Sequence, residues 1–210
     1  MREKVCYIFG AGSFDKSSID VQKDDYVIAA DGGYNHVKNL NINPDLIIGD
    51  FDSIEEIPIH PNVKEHPKKK DDTDMMLAVQ TGLELGFKCF VIYGGVGGRL
   101  DHTLANIQTI AYISNKGAIA HLVGEGIVIT AITDTKYEFN GTESGVVSIF
   151  CNGDKAHGVY LKNLKYELTD AVLTSQIPTG VSNEFIGKRS TVSVKDGTLI
   201  IMWNANEFSH

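Results

Sequence analysis

Cys89-Phe90-Val91-Ile92-Tyr93-Gly94-Gly95-Val96-Gly97-Gly98-Arg99-Leu100-Asp101-His102 is the stretch that decides the fold class. It opens with five residues that show no alternation of apolar and polar character. Such an uninterrupted run reads as a strand covered on both faces, the habit of parallel sheets. Glycines then break the run. Beyond them, 102–114 carries Leu104, Ile107, Ile110 and Ala111 on one predicted helical face. Strand, glycine turn and helix in succession form half of a βαβ unit.

The same grammar recurs toward the N-terminus. Val5-Cys6-Tyr7-Ile8-Phe9 ends at Gly10-Ala11-Gly12, Tyr26-Val27-Ile28-Ala29-Ala30 at Asp31-Gly32-Gly33, and Leu46-Ile47-Ile48 at Gly49-Asp50. A helix is predicted over 74–85, with Met76, Val79 and Leu83 near helical spacing and Leu77 alongside. Asp72 or Thr73 suits its N-cap, and Gly86 its end. Alternating strands and helices predict an α/β domain with an open, mostly parallel sheet, whose ligands bind at the carboxyl ends of the strands.

The last third differs. Segments 145–150, 157–168 and 190–203 read as strands, with no convincing helix among them. Asp196-Gly197, between Thr191-Val192-Ser193-Val194-Lys195 and Thr198-Leu199-Ile200-Ile201-Met202, reads as a hairpin turn. The expected architecture is an α/β domain over 1–130 followed by an all-β antiparallel sandwich over 131–210, the boundary falling near 129–135.

Composition excludes several classes. The chain has 210 residues, a 42% hydrophobic share and a formal net charge of -8, so a sizeable core is available and a nucleic-acid partner is not expected. Lys68-Lys69-Lys70 is its one basic knot; a solvated loop is favoured there over phosphate steering. No stretch reaches the roughly 20 apolar residues of a membrane span. The N-terminal apolar run is too short for a signal peptide. Cys6, Cys89 and Cys151 suggest neither a disulfide framework nor a zinc site. A cytoplasmic protein is the default expectation.

Three clusters hold the chemistry: Gly49-Asp50-Phe51-Asp52-Ser53, Lys70-Asp71-Asp72-Thr73-Asp74, and the glycine segment at 94–98 with Arg99, Asp101 and His102. Carboxylates, backbone N–H groups and an arginine suit a magnesium-bridged polyphosphate. Asp50 and Asp52, two apart on an extended chain, share a face and reach one cation, or else they are turn residues. Asp72 reads as a cap. Asp74 is crowded by two other acids, which makes a counterion plausible. Gly94, Gly95 and their neighbours let N–H groups approach a phosphate at a helix start, although Gly-Lys-Ser/Thr is missing and this is no P-loop. Arg99 offers a planar fork to phosphate oxygens. Asp101 either pins Arg99 or receives a metal, and His102 begins the helix or, as the lesser reading, serves as a base.

Taken in order, Asp31-Gly32-Gly33-Tyr34-Asn35, Gly49-Asp50-Phe51-Asp52-Ser53, Asp72-Thr73-Asp74 and Gly98-Arg99-Leu100-Asp101-His102 resemble thiamine pyrophosphokinases. The likeness continues more loosely through Asn163-Leu164-Lys165-Tyr166 and Gly180-Val181-Ser182-Asn183. It implies an α/β nucleotide-binding domain, a β-sandwich, and a homodimer with thiamine between the subunits. It also implies transfer of an intact diphosphoryl group from ATP to the thiamine hydroxyl, with AMP released. By motif position, Asp50, Asp52 and Asp74 hold Mg2+. Asp31, Gly32, Gly33, Asn35, Thr73, Gly94, Gly95, Asp101 and His102 surround the nucleotide, with Arg99 on its phosphates. Asp71 is the expected acceptor of the alcohol proton, and Ser182 and Asn183 fall in the vitamin-contacting loop. Tyr166 stands where animal members carry a stacking tryptophan and still offers an aromatic face; the lesser reading is a half-buried strand residue.

Two other classes compete. A strand ending in Asp50-x-Asp52 also suits an aspartyl-phosphate phosphohydrolase, but the downstream lysine and paired acids of that chemistry are not found. A non-catalytic nucleotide or thiamine sensor needs fewer carboxylates beside a polyanion.

Overall fold

The computed structural model describes residues 2–16, 19–49, 61–65 and 72–204. The chain divides into two compact units, Met1–Thr109 with Leu122–Glu125 and Ile110–His121 with Gly126–His210. In the first lie β1 (Val5–Phe9), β2 (Tyr26–Ala30), α1 (Gly33–Asn39), β3 (Leu46–Gly49), β4 (Val63–Glu65), α2 (Asp74–Glu84) and β5 (Cys89–Tyr93). The division of the chain falls within α3 (Leu100–Asn115) and β6 (Ile119–Gly124).

Strands of the first unit pair in the order β4-β3-β2-β1-β5, every pairing parallel. Ile8 sits opposite Ile28 on one side and Ile92 on the other. Cys6, Tyr7, Ile8 and Phe9 are all fully buried. Successive side chains of a strand point to opposite faces, so both faces of the sheet are covered there. The uninterrupted apolar runs therefore mean what they were read to mean.

Both helix faces need correction. On α2 the buried residues are Met75, Ala78, Val79 and Gly82, while Met76 and Leu83 are only half-buried. At Gly82 the packing leaves no space for a side chain: a Cβ there would lie 2.6 Å from the Phe90 ring and 3.0 Å from Cys6 Sγ. On α3, Ile110 and Ala111 are buried as read, but Leu104 is 58% exposed and Ile107 half-buried, and the buried stripe also takes in Asn106, Thr109, Ile113 and Ser114. Thr73, not Asp72, caps α2, its hydroxyl accepting from the Met76 N–H at 3.1 Å. Gly86 does end the helix region, with φ 88°. The sequence reading had not anticipated α1, β4 or β6.

The second unit holds β7 (Ile127–Thr133), β8 (Lys136–Phe139), β9 (Val146–Lys162), β10 (Leu168–Thr174), β11 (Gly180–Glu184), β12 (Ser190–Ser193) and β13 (Asp196–Asn204). Its strand pairings are all antiparallel, and no helix begins beyond β7 among the described residues. Segments 145–150 and 157–168, read as separate strands, belong largely to the single strand β9, which ends at Lys162. Its early residues pair with β11 and β13, its later ones with β10 and β12. Packing there centres on aromatic rings, with Trp203 5.3 Å and Phe185 4.8 Å from Phe139.

The hairpin expected at Asp196-Gly197 does not form. Strand β12 pairs with β8 and β9, whereas β13 pairs with β7 and β9. The backbone groups between them go elsewhere: the Val194 N–H donates to Thr135 O and the Lys195 N–H to His157 O. The Gly197 N–H donates to Asp134 Oδ1 at 2.8 Å. An Asp-Gly turn chooses a hairpin only when its flanks have no better partners, and here β9 separates them.

Candidate active site

Carboxyl ends of β1, β2 and β5 meet at one place. The Gly10 N–H donates to Tyr93 O at 2.8 Å and the Gly12 N–H to Gly94 O at 2.9 Å, which ties the loops after β1 and β5 together. This approach demands glycine. A Cβ at Gly94, whose φ is 68°, would lie 2.4 Å from Gly10 O and 2.8 Å from Gly12 O. Above these crossing backbones lies a cavity of about 460 Å³, within the range of small-molecule and cofactor sites.

Asp31, Thr73, Asp74, Gly94, Gly95, Arg99 and His102, all singled out in the sequence, line this cavity. Asp31 ends β2 in a left-handed conformation, φ 47°, with its N–H donating to Ile48 O at 2.7 Å. A non-glycine residue held there is mildly strained, and such strain collects at ligand sites. Thr73 and Asp74 bring the N-terminus of α2, whose field favours an anion. Gly97 and Gly98 carry the loop on through φ 88° and 63° to Arg99.

Arg99 is held by Asp101 through two hydrogen bonds, Nε to Oδ1 at 3.2 Å and Nη2 to Oδ2 at 2.7 Å. Asp101 Oδ1 also accepts from the His102 N–H at 3.0 Å. The hydrogen bond from Arg99 lowers the Asp101 carboxyl to a pKa of about 2, and the Arg99 guanidinium is raised in turn. The pinning of Arg99, one of the two roles read for Asp101, is present in the structure. Asp101 itself does not line the cavity. His102 lies exposed in the first turn of α3.

Other expected residues fall elsewhere. Asn35 is exposed on α1 and is not part of the cavity lining, and Gly33 is buried where a Cβ would strike Phe9 O. Gly32 also stands outside the lining. Asp50, Asp52, Asp71 and Lys68-Lys69-Lys70 lie outside the described residues. Among the described residues no group of three or more His, Cys, Asp or Glu could hold a metal by itself. Asp31 and Asp74 supply two carboxylates to the same cavity, the hard oxygen donors that magnesium takes beside phosphates.

Sequence reasoning missed Ala11, Met75 and Asn106 in the lining. Asn106 left one legible signal, a polar side chain three and four residues from Thr109 and Ile110 on the buried stripe.

In the second unit, Tyr166 is 59% exposed. Its main chain is gripped by Asn183: the Tyr166 N–H donates to Asn183 Oδ1 at 2.9 Å, and Asn183 Nδ2 donates back to Tyr166 O at 2.7 Å. Asn183 is only 3% exposed, so its amide serves Tyr166 and the Glu184 N–H. Lys165 Nζ stands 5.5 Å over the Tyr166 ring and pairs with Glu184 at 2.6 Å. Ser182 is exposed with φ 58°, its N–H donating to Ser148 Oγ.

A parallel sheet whose carboxyl-end loops gather glycines, a capped helix start, two carboxylates and a pinned arginine around one cleft defines an α/β protein built to receive an anionic, phosphate-bearing ligand. The comparisons narrow this class. Residues 20–121 match the catalytic domain of thiamin pyrophosphokinase, and residues 131–199 match its vitamin B1 binding domain. Thiamine pyrophosphokinase of Bacillus subtilis is 29% identical over 182 residues, 83% of this chain and 85% of that protein. Thiamin pyrophosphokinase 1 of Caenorhabditis elegans is 29% identical over 178 residues, 77% of this chain and 72% of that protein. The crystal structure of the Bacillus subtilis enzyme superposes with a TM-score of 0.83 at 25% identity, covering 97% of this chain and 100% of that one. A thiamin pyrophosphokinase family protein of Enterococcus faecalis gives 0.80 at 25% identity, covering 98% and 100%. This chain belongs to the thiamin pyrophosphokinase family, and is an enzyme of that kind.

Proposed function

We propose that the chain transfers a diphosphoryl group from ATP to the hydroxyl of thiamine, giving thiamine diphosphate and AMP. Magnesium is its cofactor, and thiamine binds between the subunits of a homodimer. One observation carries the reading: Asp31, Thr73, Asp74, the glycine loop and Arg99 converge on a single cleft. In this reading residues 1–130 form the nucleotide-binding catalytic domain and 131–210 a β-sandwich that binds thiamine. The two matched ranges, 20–121 and 131–199, support that division.

Asp50, Asp52 and Asp74 are the proposed holders of magnesium, which when bound draws charge from the phosphate oxygens. Phosphoryl-type transfer depends mainly on positioning and charge stabilisation. The loop at 94–98 and the start of α2 orient the phosphates, and Arg99 offsets the charge that builds as the bonds change. The thiamine oxygen forms a bond to the β-phosphorus while the bond from that phosphorus to the AMP oxygen breaks. Asp71 takes the proton of the alcohol. Tyr166 offers an aromatic face to the cationic thiazolium, an interaction that ring faces favour. The exposed apolar residues Tyr166, Val172, Ile177, Val181 and Ile186 support the dimer. A cytoplasmic location completes the proposal; among the described residues no helix is long and apolar enough to cross a membrane.

The test is an incubation with ATP, magnesium and thiamine in which AMP, ADP and thiamine diphosphate are resolved. AMP should form only when thiamine is present. ADP as the nucleotide product refutes the diphosphoryl transfer, and free phosphate from many esters would point to a hydrolase. Asp52→Ala and Asp74→Ala should each abolish AMP formation in a folded protein; wild-type turnover in either removes that residue from the site.

A further inference from the structure

We propose that Asn106 is a positioning residue for the nucleotide, acting through the glycine loop at 94–98; this rests on reading the cleft as a nucleotide site. Asn106 Nδ2 donates to Gly95 O at 2.8 Å. Gly95 is buried and Asn106 only 7% exposed, so the bond is screened from water. A polar amide on the buried stripe of α3 is unfavourable unless it is paired, and Gly95 O is the partner that makes it tolerable. The loop is wedged at this point. A Cβ on Gly95 would lie 2.5 Å from Leu122 Cδ1 and 3.1 Å from Asn106 Nδ2.

The peptide unit is planar, so fixing the Gly95 carbonyl fixes the plane of the Gly95–Val96 peptide. That plane sets the path by which Gly97, Gly98 and Arg99 enter the cleft. A second contact from α3 steadies the far end of the loop. The Gly97 N–H donates to Thr103 Oγ1 at 3.1 Å, and Thr103 Oγ1 donates to Arg99 O at 3.2 Å. Asn106 thus anchors the base of a loop whose tip carries the phosphate-facing arginine. Left-handed glycines at 97 and 98 give the loop no stiffness of its own, so its geometry depends on these anchors.

The experiment compares wild type, Asn106→Asp and Asn106→Leu. Each is assayed for KM of ATP and of thiamine, and titrated with ATP alone to obtain Kd. Both variants should weaken ATP about tenfold, the scale of a buried hydrogen bond whose partner is left unsatisfied. The KM for thiamine should stay within about twofold, because the change acts on the nucleotide's loop. Asn106→Asp should recover relative to wild type as pH falls from about 8 to about 5.5, since a buried carboxyl is protonated early and regains a donor for Gly95 O. Asn106→Leu should not recover. A role confined to stability would lower Tm without this pH-dependent change in ATP affinity. The proposal is overturned by a folded Asn106→Asp protein whose ATP Kd at pH 8 lies within about twofold of wild type. It is overturned as well if both variants are unfolded at every pH, which makes Asn106 a requirement of folding. An Asn106→Asp protein that folds only in acid likewise assigns the bond to folding and overturns it. Wild type that binds ATP yet forms no AMP defeats the proposed reaction and leaves the Kd comparison intact.

Discussion

Gly94 and Gly97 sit three residues apart in one loop, both with left-handed backbone, φ 68° and 88°. Replacing either by alanine carries the same conformational penalty, about 1 to 2 kcal/mol for an L-residue in that region. Their surroundings differ. The new methyl at position 94 would meet Gly10 O at 2.4 Å and Gly12 O at 2.8 Å, whereas at position 97 nothing lies within 4 Å. Those oxygens belong to main chain that is hydrogen-bonded to β5 and the loop after it, so they cannot swing aside as a side chain would. Forcing the two loops apart adds about 1 to 3 kcal/mol, the scale of overpacking. Gly94→Ala should therefore be about 2 to 5 kcal/mol less stable than wild type and Gly97→Ala about 1 to 2. Their difference isolates the close approach. Urea unfolding followed by far-UV circular dichroism measures both, provided that m is unchanged. Equal destabilisation of the two variants would refute the claim that contact between the β1 and β5 loops builds the floor of the cleft.

Thr73→Ala removes the hydroxyl that accepts from Met76 N and should lose about 1 kcal/mol in the same assay, while Thr73→Ser should lose little. Asp101 should titrate near pH 2 by carboxyl NMR and return toward the ordinary value of about 4 in Arg99→Met. Because its folded pKa is depressed, whatever stability the pair contributes is present above about pH 4 and fades as pH falls through about 2; a midpoint unmoved by Arg99→Met would disprove the pairing. Asn183→Leu frees the Tyr166 main chain and should raise the thiamine KM several-fold with the ATP KM unchanged, as steady-state kinetics would show. An unaltered thiamine KM would separate that clamp from substrate binding.

The parallel strands were legible because their residues are buried on both faces, and burial on both faces leaves a run of apolar letters that needs no partner to be read. Gly94, Gly95 and Arg99 were legible from turn chemistry at a strand end and Asp74 from acidic crowding at a helix start, Thr73 was one of two cap candidates, and Asp31 entered only through the family resemblance. The helix faces were less legible. Periodicity pointed to Leu104 and Met76, but α2 buries Met75, Ala78, Val79 and Gly82, and at Gly82 the space is set by Phe90 and Cys6. Asn35 carried a motif letter yet does not line the cleft.

Sequence by itself determined where β1, β2, β3, β5 and α2 begin, because propensity, capping and glycine turns act over a few neighbouring residues. Only the tertiary structure decided which of those elements touch. It denied Asp196-Gly197 its hairpin by offering β9 to both flanks, and it made Asn106 a support for Gly95, eleven positions earlier in the chain. Such choices turn on the competition among distant partners for the same backbone donors and acceptors, and no local stretch of residues contains that competition.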